Sequence, residues 1–519
     1  MHNFIYRILI GLAFTLAGVI SASANVMQLS DAGTGQVLLF PYYTARNGNV
    51  SLISLVNTTT NAKAIRVNVR EARGGFVVAQ FNVYLSAKDV WTAAIVGDAD
   101  GTQMVSGDVS CTSPRFTTNP NPLATPATTP ISLAFSAHAY RGDNTAAVAR
   151  DRTREGYIEV IEMAAIPNGT RTGIAVTHIA GVPTCVRRNA SDIKDITDIA
   201  FEPPASDLTA PTGGLMGSLS FVNVAKGMLA SAAPTVIENF WLTGPDAPAP
   251  RVVPANSSAI DLTSGKNTSV AFAATSRTES ATTNAVERYT ARFATSIDAV
   301  SALLSNSAVY TEYAHTDDQV ISTLIMYTMP TKPYYIRSGS PGPFAALWDS
   351  SQAKSCDRIN IGHYTRDEVT ISFFAESLHP PAPASLVCSV ANPLLSSGPI
   401  AEGYGLTPLP DTTYLSSALT VGFGGVQNNA TPVPKPGKEG GWAEMYWNNS
   451  SGNLQPVEAA VYRRNPAGAL VWEPIKATLL GLPVIGFTLS QAAYQTGSPQ
   501  QNFADAIPLR SQTVVYTVP

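Results

Sequence analysis

Between Val37 and Trp91 four apolar runs rich in β-branched and aromatic residues follow one another, separated by short polar breaks. They read VLLFPYY, SLISLVN, AIRVNVRE and FVVAQFNVYL, a succession that predicts a sheet folded from neighbouring antiparallel strands. The third run alternates strictly, with Ile65, Val67 and Val69 set against Arg66, Asn68 and Arg70. The fourth sets Ala79, Phe81, Val83 and Leu85 against Gln80, Asn82 and Tyr84. Each strand therefore has one apolar and one polar face. Ser86 and Asp89 have the S-x-x-D spacing of a capping box, which predicts one tight helical turn before Trp91. A chain that opens this way must bury a sheet face against a second layer.

The rest of the sequence keeps this character. Strand signals recur at Gly156 (GYIEVIEMAAI), Gly214 to Val224, Val236 to Leu242, VYTEYAH, VISTLIMYTMP, KPYYI, GWAEMYW, PVEAAVY, GLPVIGFTL and the terminal TVVYTV. One stretch, Ser296 to Ser305, places Ile297, Val300, Leu303 and Leu304 at helical spacing behind a Ser cap. Thr112 to Pro130 is a Thr/Pro/Asn-rich insertion, and Thr243 to Asn256 is Pro-rich and reads as a linker. The expected fold is all-β: two β-sandwich-like domains with long Thr/Pro-rich loops and few short helices. The expected division is a signal peptide over 1–24, an N-terminal sandwich over 25–250 and a C-terminal β-rich domain over 251–519.

Composition and cysteines narrow the setting. Charged residues are 13% while apolar residues are 45%, so the low charge does not signal disorder. A formal charge of −4 argues against a nucleic-acid partner, which wants a basic face. At the N-terminus Ile8 to Ile20 is apolar and Ala22-Ser23-Ala24 is a small-x-small exit, the pattern of a secretory leader cleaved after Ala24. That run is too short to span a bilayer, so the mature chain is expected not to cross a membrane. The expected location is secreted or cell-surface, with the periplasm as the alternative. Cys111, Cys185, Cys356 and Cys388 then read as disulfides. Their spacing in two clusters favours Cys111–Cys185 and Cys356–Cys388 among three pairings.

No catalytic motif stands out. Gly33-Thr-Gly35 has Leu38 where a dinucleotide loop needs its third glycine, and Ser340 in SGSPG lacks the nucleophile-elbow spacing. Ser, His and Asp are all present, but a triad is recognised only in space. In GDADGTQMVSGD, Asp98, Asp100 and Asp108 offer hard oxygen ligands to calcium, the one cofactor for which the sequence has a place. The stretch departs from an EF-hand, with Gln103 at position six and Val109 at position twelve, and its plainer reading is a solvated Asp/Gly turn. Asp192, Asp195 and Asp198, each followed by Ile, have the same two readings. In GWAEMYW an extended chain puts Trp442, Glu444 and Tyr446 on one face and Ala443, Met445 and Trp447 on the other. Exposed, the first set is a stacking platform with a carboxylate, suited to sugar rings; buried, it is ordinary core.

Several segments resemble recurring stretches of a family of secreted proteins from Gram-negative bacteria. They are FPYYT (Phe40 to Thr44), SLVNTT (Ser54 to Thr59), YLSAKDVW (Tyr84 to Trp91), GYIEVIEM (Gly156 to Met163), DAVSALL (Asp298 to Leu304) with Glu312-Tyr313, MPTKPYYI (Met329 to Ile336) and GLPVIGF (Gly481 to Phe487). Met329 stands where that family usually has phenylalanine. The resemblance implies an exported or cell-surface protein without an assigned activity, and it brings no catalytic residues. The expected function is therefore structural or adhesive: display of loops and of strand edges, Val37 and TVVYTV among them, to other surface proteins or copies of the chain. The alternative is an extracellular glycan-binding or glycan-cleaving protein.

Overall fold

The computed structural model describes residues 26–518 apart from 47, 73, 100, 116–130, 137–149, 151, 180, 184, 186–195, 197, 244–246, 280–281, 315–320, 341, 350–354, 356, 366–369, 372–384, 388–390, 395–439, 448–453 and 493–502. The leader expected over 1–24, Asp100, Asp192, Asp195, Cys356, Cys388 and most of the Thr/Pro insertion lie outside the described residues. What is described is mostly antiparallel sheet, with three short α-helices.

The four opening runs are strands, Val37–Thr44, Val50–Asn57, Ala62–Glu71 and Val77–Leu85, but they do not form one sheet of sequential neighbours. Val37–Thr44 pairs with Glu155–Ile166 and Thr235–Glu238, whereas Val50–Asn57 crosses to the facing layer and pairs with Leu215–Asn223 and Val90–Asp98. Only Ala62–Glu71 and Val77–Leu85 form the expected hairpin. The crossing follows from the core. Phe40, Ile53, Ile65, Phe81, Trp91 and Phe221 are all fully buried in one cluster between the two sheets, which both layers must enclose to keep out water. The capping bond is present, Ser86 N donating to Asp89 Oδ2 at 3.0 Å. Lys88, however, has φ +58°, so the element is a tight turn and not helical.

The polar face of Ala62–Glu71 is buried as well. Arg66 donates to the carbonyls of Ala255 and Pro254 at 2.8 and 2.7 Å, Asn82 to Val253 at 2.8 Å, and Asn68 to Ile260 at 3.0 Å. The Pro-rich segment around the expected 250/251 boundary is thus a strap held flat on the first sheet, with Val252, Val253 and Leu262 buried beneath it. A strap without its own ladder has unpaired carbonyls, and these side chains satisfy them.

Buried ion pairs line the same sheet. Lys63 and Glu162 meet at 2.6 Å with both side chains fully buried, and Arg70 meets Glu159 at 2.8 Å. Glu162 also accepts from the amides of Thr212 and Gly213. Glu159 accepts from the Tyr334 hydroxyl at 3.0 Å, and that hydroxyl accepts from Arg70. Tyr334 lies in the Lys332–Ile336 helix, a stretch read as strand from its aromatics. Pro333 at the first turn presets the helical φ, and Lys332 is drawn inward to Asp357 at 2.6 Å. Tertiary contacts override propensity there.

The C-terminal half adds two units. Ser269–Arg277, Thr282–Arg292, Glu458–Arg464, Leu470–Leu480 and Val514–Val518 close a five-stranded barrel. The Ser296–Leu304 helix packs Val300, Leu303 and Leu304 into the same cluster as the barrel's Val461, Leu479 and Val515. Its cap is Thr295, one residue before the expected Ser, accepting from Asp298 N at 3.2 Å. The second unit is a sandwich. One layer runs Asp357–Thr365, Gly440–Tyr446, Ala308–Ala314, Arg510–Gln512, and the other Ala391–Leu394, Ile321–Thr328, Ile485–Ala492, Phe503–Pro508. Val309 and Met445 face Ile325 and Tyr327 in its core. The reverse face of the second layer joins the first sandwich, where Phe487 stacks on Phe221 at 5.4 Å.

Two expected free edges are closed. Val37–Thr44 is flanked on both sides, and Val514–Val518 pairs in parallel with Ser269–Arg277 and antiparallel with Leu470–Leu480. Neither has a row of amides left to offer a partner strand.

Candidate functional site

The Gly440–Tyr446 strand is central in its sheet, paired with Ala308–Ala314 on one side and Asp357–Thr365 on the other. Strand alternation divides its residues sharply. Met445 and, just beyond the strand, Trp447 are buried at 2% and 6% exposure, while Trp442 and Tyr446 are exposed at 39% and 37%. Glu444 lies between those two aromatics on the outer face, half-buried. Burial of Met445 against Val309 and Ile325 fixes the register, and that register turns the other set to solvent.

Neighbouring strands extend this face. Tyr310 is the cross-strand partner of Glu444, and its ring lies 6.2 Å from that of Trp442 at 48°. The Tyr310 hydroxyl donates to Gln512 Oε1 at 2.9 Å, which anchors the ring's outer end. Glu312, the register partner of Trp442, sits 3.9 Å from Arg510, both largely exposed. Tyr364 occupies the register position on the other side of Trp442. The result is a platform of aromatic rings flanked by carboxylate, amide and guanidinium groups. Such a surface can stack apolar ring faces and hydrogen-bond the rims around them.

Of the calcium candidates, Asp98 and Asp108 are among the described residues and lie at opposite ends of the hairpin formed by Val90–Asp98 and Gly101–Ser106. Asp98 and Asp108 sit on either side of the six-residue Gly101–Ser106 strand. Asp98 accepts from Gly101 N and Gln103 Nε2, and Asp108 from Thr92 N and Ser110 N. Asp98 is thus engaged within its own turn, and Asp108 ties its turn to the Val90–Asp98 strand. No cluster of three metal-ligating side chains occurs among the described residues. Asp198 accepts from Ala200 N in a local turn. Cys111 and Cys185 are disulfide-bonded, Cα atoms 6.2 Å apart.

A Ser/His/Asp grouping that the sequence did not reveal lies beside a cavity of about 520 Å³. Ser86 Oγ is 3.1 Å from His178 Nδ1, and Asp89 Oδ1 is 3.5 Å from the same nitrogen. A working triad needs the serine on one ring nitrogen and the carboxylate on the other. Here both converge on Nδ1, and Nε2 is buried without a hydrogen-bond partner among the described residues. Burial pushes the Asp89 carboxyl above its ordinary range. The grouping ties the Asp89 turn to the strand bearing His178, and the relay geometry is missing.

A cleft of about 1610 Å³ runs between the barrel, the Gln28–Leu29 edge and the Pro508–Thr513 segment. Its acids among the described residues are Asp31 and Glu458, and Glu458 is held by Arg292 at 2.7 Å. Asp31 and Glu458 are the carboxylates that the described lining of this cleft offers, and glycoside hydrolysis needs two acids flanking one bond.

No family model matches this chain, and neither a curated protein nor a solved structure matches it. No helix among the described residues is long and apolar enough to cross a membrane, which leaves β-barrel spanning unaddressed.

Proposed function

We propose that the protein is an exported or cell-surface adhesive protein acting by display, and that the displayed surface is the Trp442–Glu444–Tyr446 face, presented to extracellular glycan. The observation that carries this reading is the split of one strand into buried Met445 and exposed Trp442 and Tyr446. Large aromatics are normally buried, so a row held outward by register, with Tyr310 beside it, calls for a ligand with an apolar ring face. Display by face replaces display by edge, because the two edges singled out in the sequence are paired. Export and membership of the Gram-negative secreted family are part of the proposal; the leader-like N-terminus and the Cys111–Cys185 bridge support export.

The test is retention of the purified chain on insoluble and gel-embedded polysaccharides, wild type beside Trp442→Ala. The proposal expects retention that the substitution weakens by about tenfold, the loss of one stacked ring. Equal retention of both proteins, or of neither, contradicts it.

A further inference from the structure

The outer wall of the barrel carries a second row of side chains that the Trp442 face does not use. Arg288, Tyr462 and Trp472 are successive register partners across three strands, Arg288 opposite Tyr462 and Tyr462 opposite Trp472. Partners in a ladder project to the same side. Their alternates Tyr289 and Val461 are buried inside the barrel, so this row points outward. Tyr462 and Trp472 are exposed at 36% and 45%, with ring centroids 4.9 Å apart. Arg288 and Trp472 both line the 1610 Å³ cleft.

What separates this row from a bare aromatic patch is the state of its cation. Arg292, four residues along the strand, is gripped by both oxygens of Glu458, and Arg463 by both oxygens of Glu287. Arg288 is exposed and has no hydrogen-bond or ion-pair partner among the described residues. The remaining unpaired charge on the cleft walls, Asp31, comes from the N-terminal segment and makes no ion pair with Arg288.

We propose that Arg288, Tyr462 and Trp472 form a binding subsite for an acidic sugar, a uronic acid residue of a polysaccharide. A pyranose ring offers C–H faces to the two aromatics, and a uronate carries its carboxylate at the ring's edge. A guanidinium next to the stacking rings receives that carboxylate through two parallel N–H bonds. A neutral sugar in the same place would shield Arg288 from water and give it no charged acceptor, so it binds less well. Nucleic acid is the poorer fit, because a phosphate chain wants several free cations along its path, and of the two cations among the described residues lining the cleft, Arg292 is held by Glu458 and Arg288 alone is unpaired.

The experiment is titration calorimetry of the full chain with an oligogalacturonate and with its methyl-esterified form, which differ only in carboxylate charge. The acid form is expected to bind about tenfold more tightly, the worth of one charge-assisted pair. Arg288→Gln is expected to erase that gap, and Trp472→Ala to weaken both ligands. Trp442→Ala, on the separate face, is expected to leave the gap intact, so the failure of one site is distinguishable from failure of the other. Equal affinities, a gap that survives Arg288→Gln, or no binding of either ligand overturns the proposal. Unchanged melting of the variants checks that they fold.

Discussion

The Trp442 and Tyr310 rings lie 6.2 Å apart on the solvent face of a sheet whose other face buries Met445 within one residue of Glu444. Packing on one side of the strand thereby sets the geometry of the other. The two sets should separate in experiment. Met445→Ala is expected to destabilise by about 2–5 kcal/mol through loss of core contacts. Trp442→Ala is expected to cost about 1 kcal/mol or less while weakening ligand retention about tenfold. Chemical denaturation of the two variants reads the difference.

Lys63 and Glu162 form a fully buried pair at 2.6 Å. Removing one partner leaves a charge without compensation in an apolar setting. Lys63→Met is therefore expected to destabilise by about 3–5 kcal/mol, and Lys63→Met with Glu162→Gln to recover most of that loss. The urea midpoint of the double variant, compared with the single, checks it.

The Cys111–Cys185 bridge spans 74 residues. In the chain-entropy account, closing a loop of that length contributes about 4 kcal/mol. Cys111→Ser with Cys185→Ser is expected to lower the denaturation midpoint accordingly. A reductant should lower the wild-type midpoint by at least as much.

Burial raises the Glu159 carboxyl above its ordinary value of 4.5, more than Arg70 lowers it, and acts on Glu162 in the same direction against Lys63. The folded chain then holds protons that the unfolded chain has released. Stability from these groups is fully present below the unfolded value and declines as pH rises through the folded one. Glu159→Gln is expected to flatten that decline, measured as unfolding free energy from pH 4.5 to neutrality. An unaltered slope contradicts the assignment.

Local patterns were legible in the sequence wherever one strand or one helix decided them. Ile65, Val67 and Val69 face the core as their alternation requires, the Ser296–Leu304 helix forms, and the GWAEMYW alternation divides as an extended chain must. The polar alternates Arg66 and Asn68 are buried because a strap nearly two hundred residues later covers them, and Arg70 because Tyr334 does, which no local period can announce. Val514–Val518 reads as a terminal edge until Ser269–Arg277 closes the barrel on it in parallel, a pairing between distant segments. The Ser86–His178 contact likewise joins residues 92 positions apart, and its shared nitrogen exists only in three dimensions.

The most direct measurement of the central claim is a glycan array probed with the wild-type chain and with Trp442→Ala side by side. The account predicts binding to a restricted set of glycans by the wild type and its loss in the variant, with both proteins melting alike. A silent array, or one on which the two proteins give the same pattern, would contradict it.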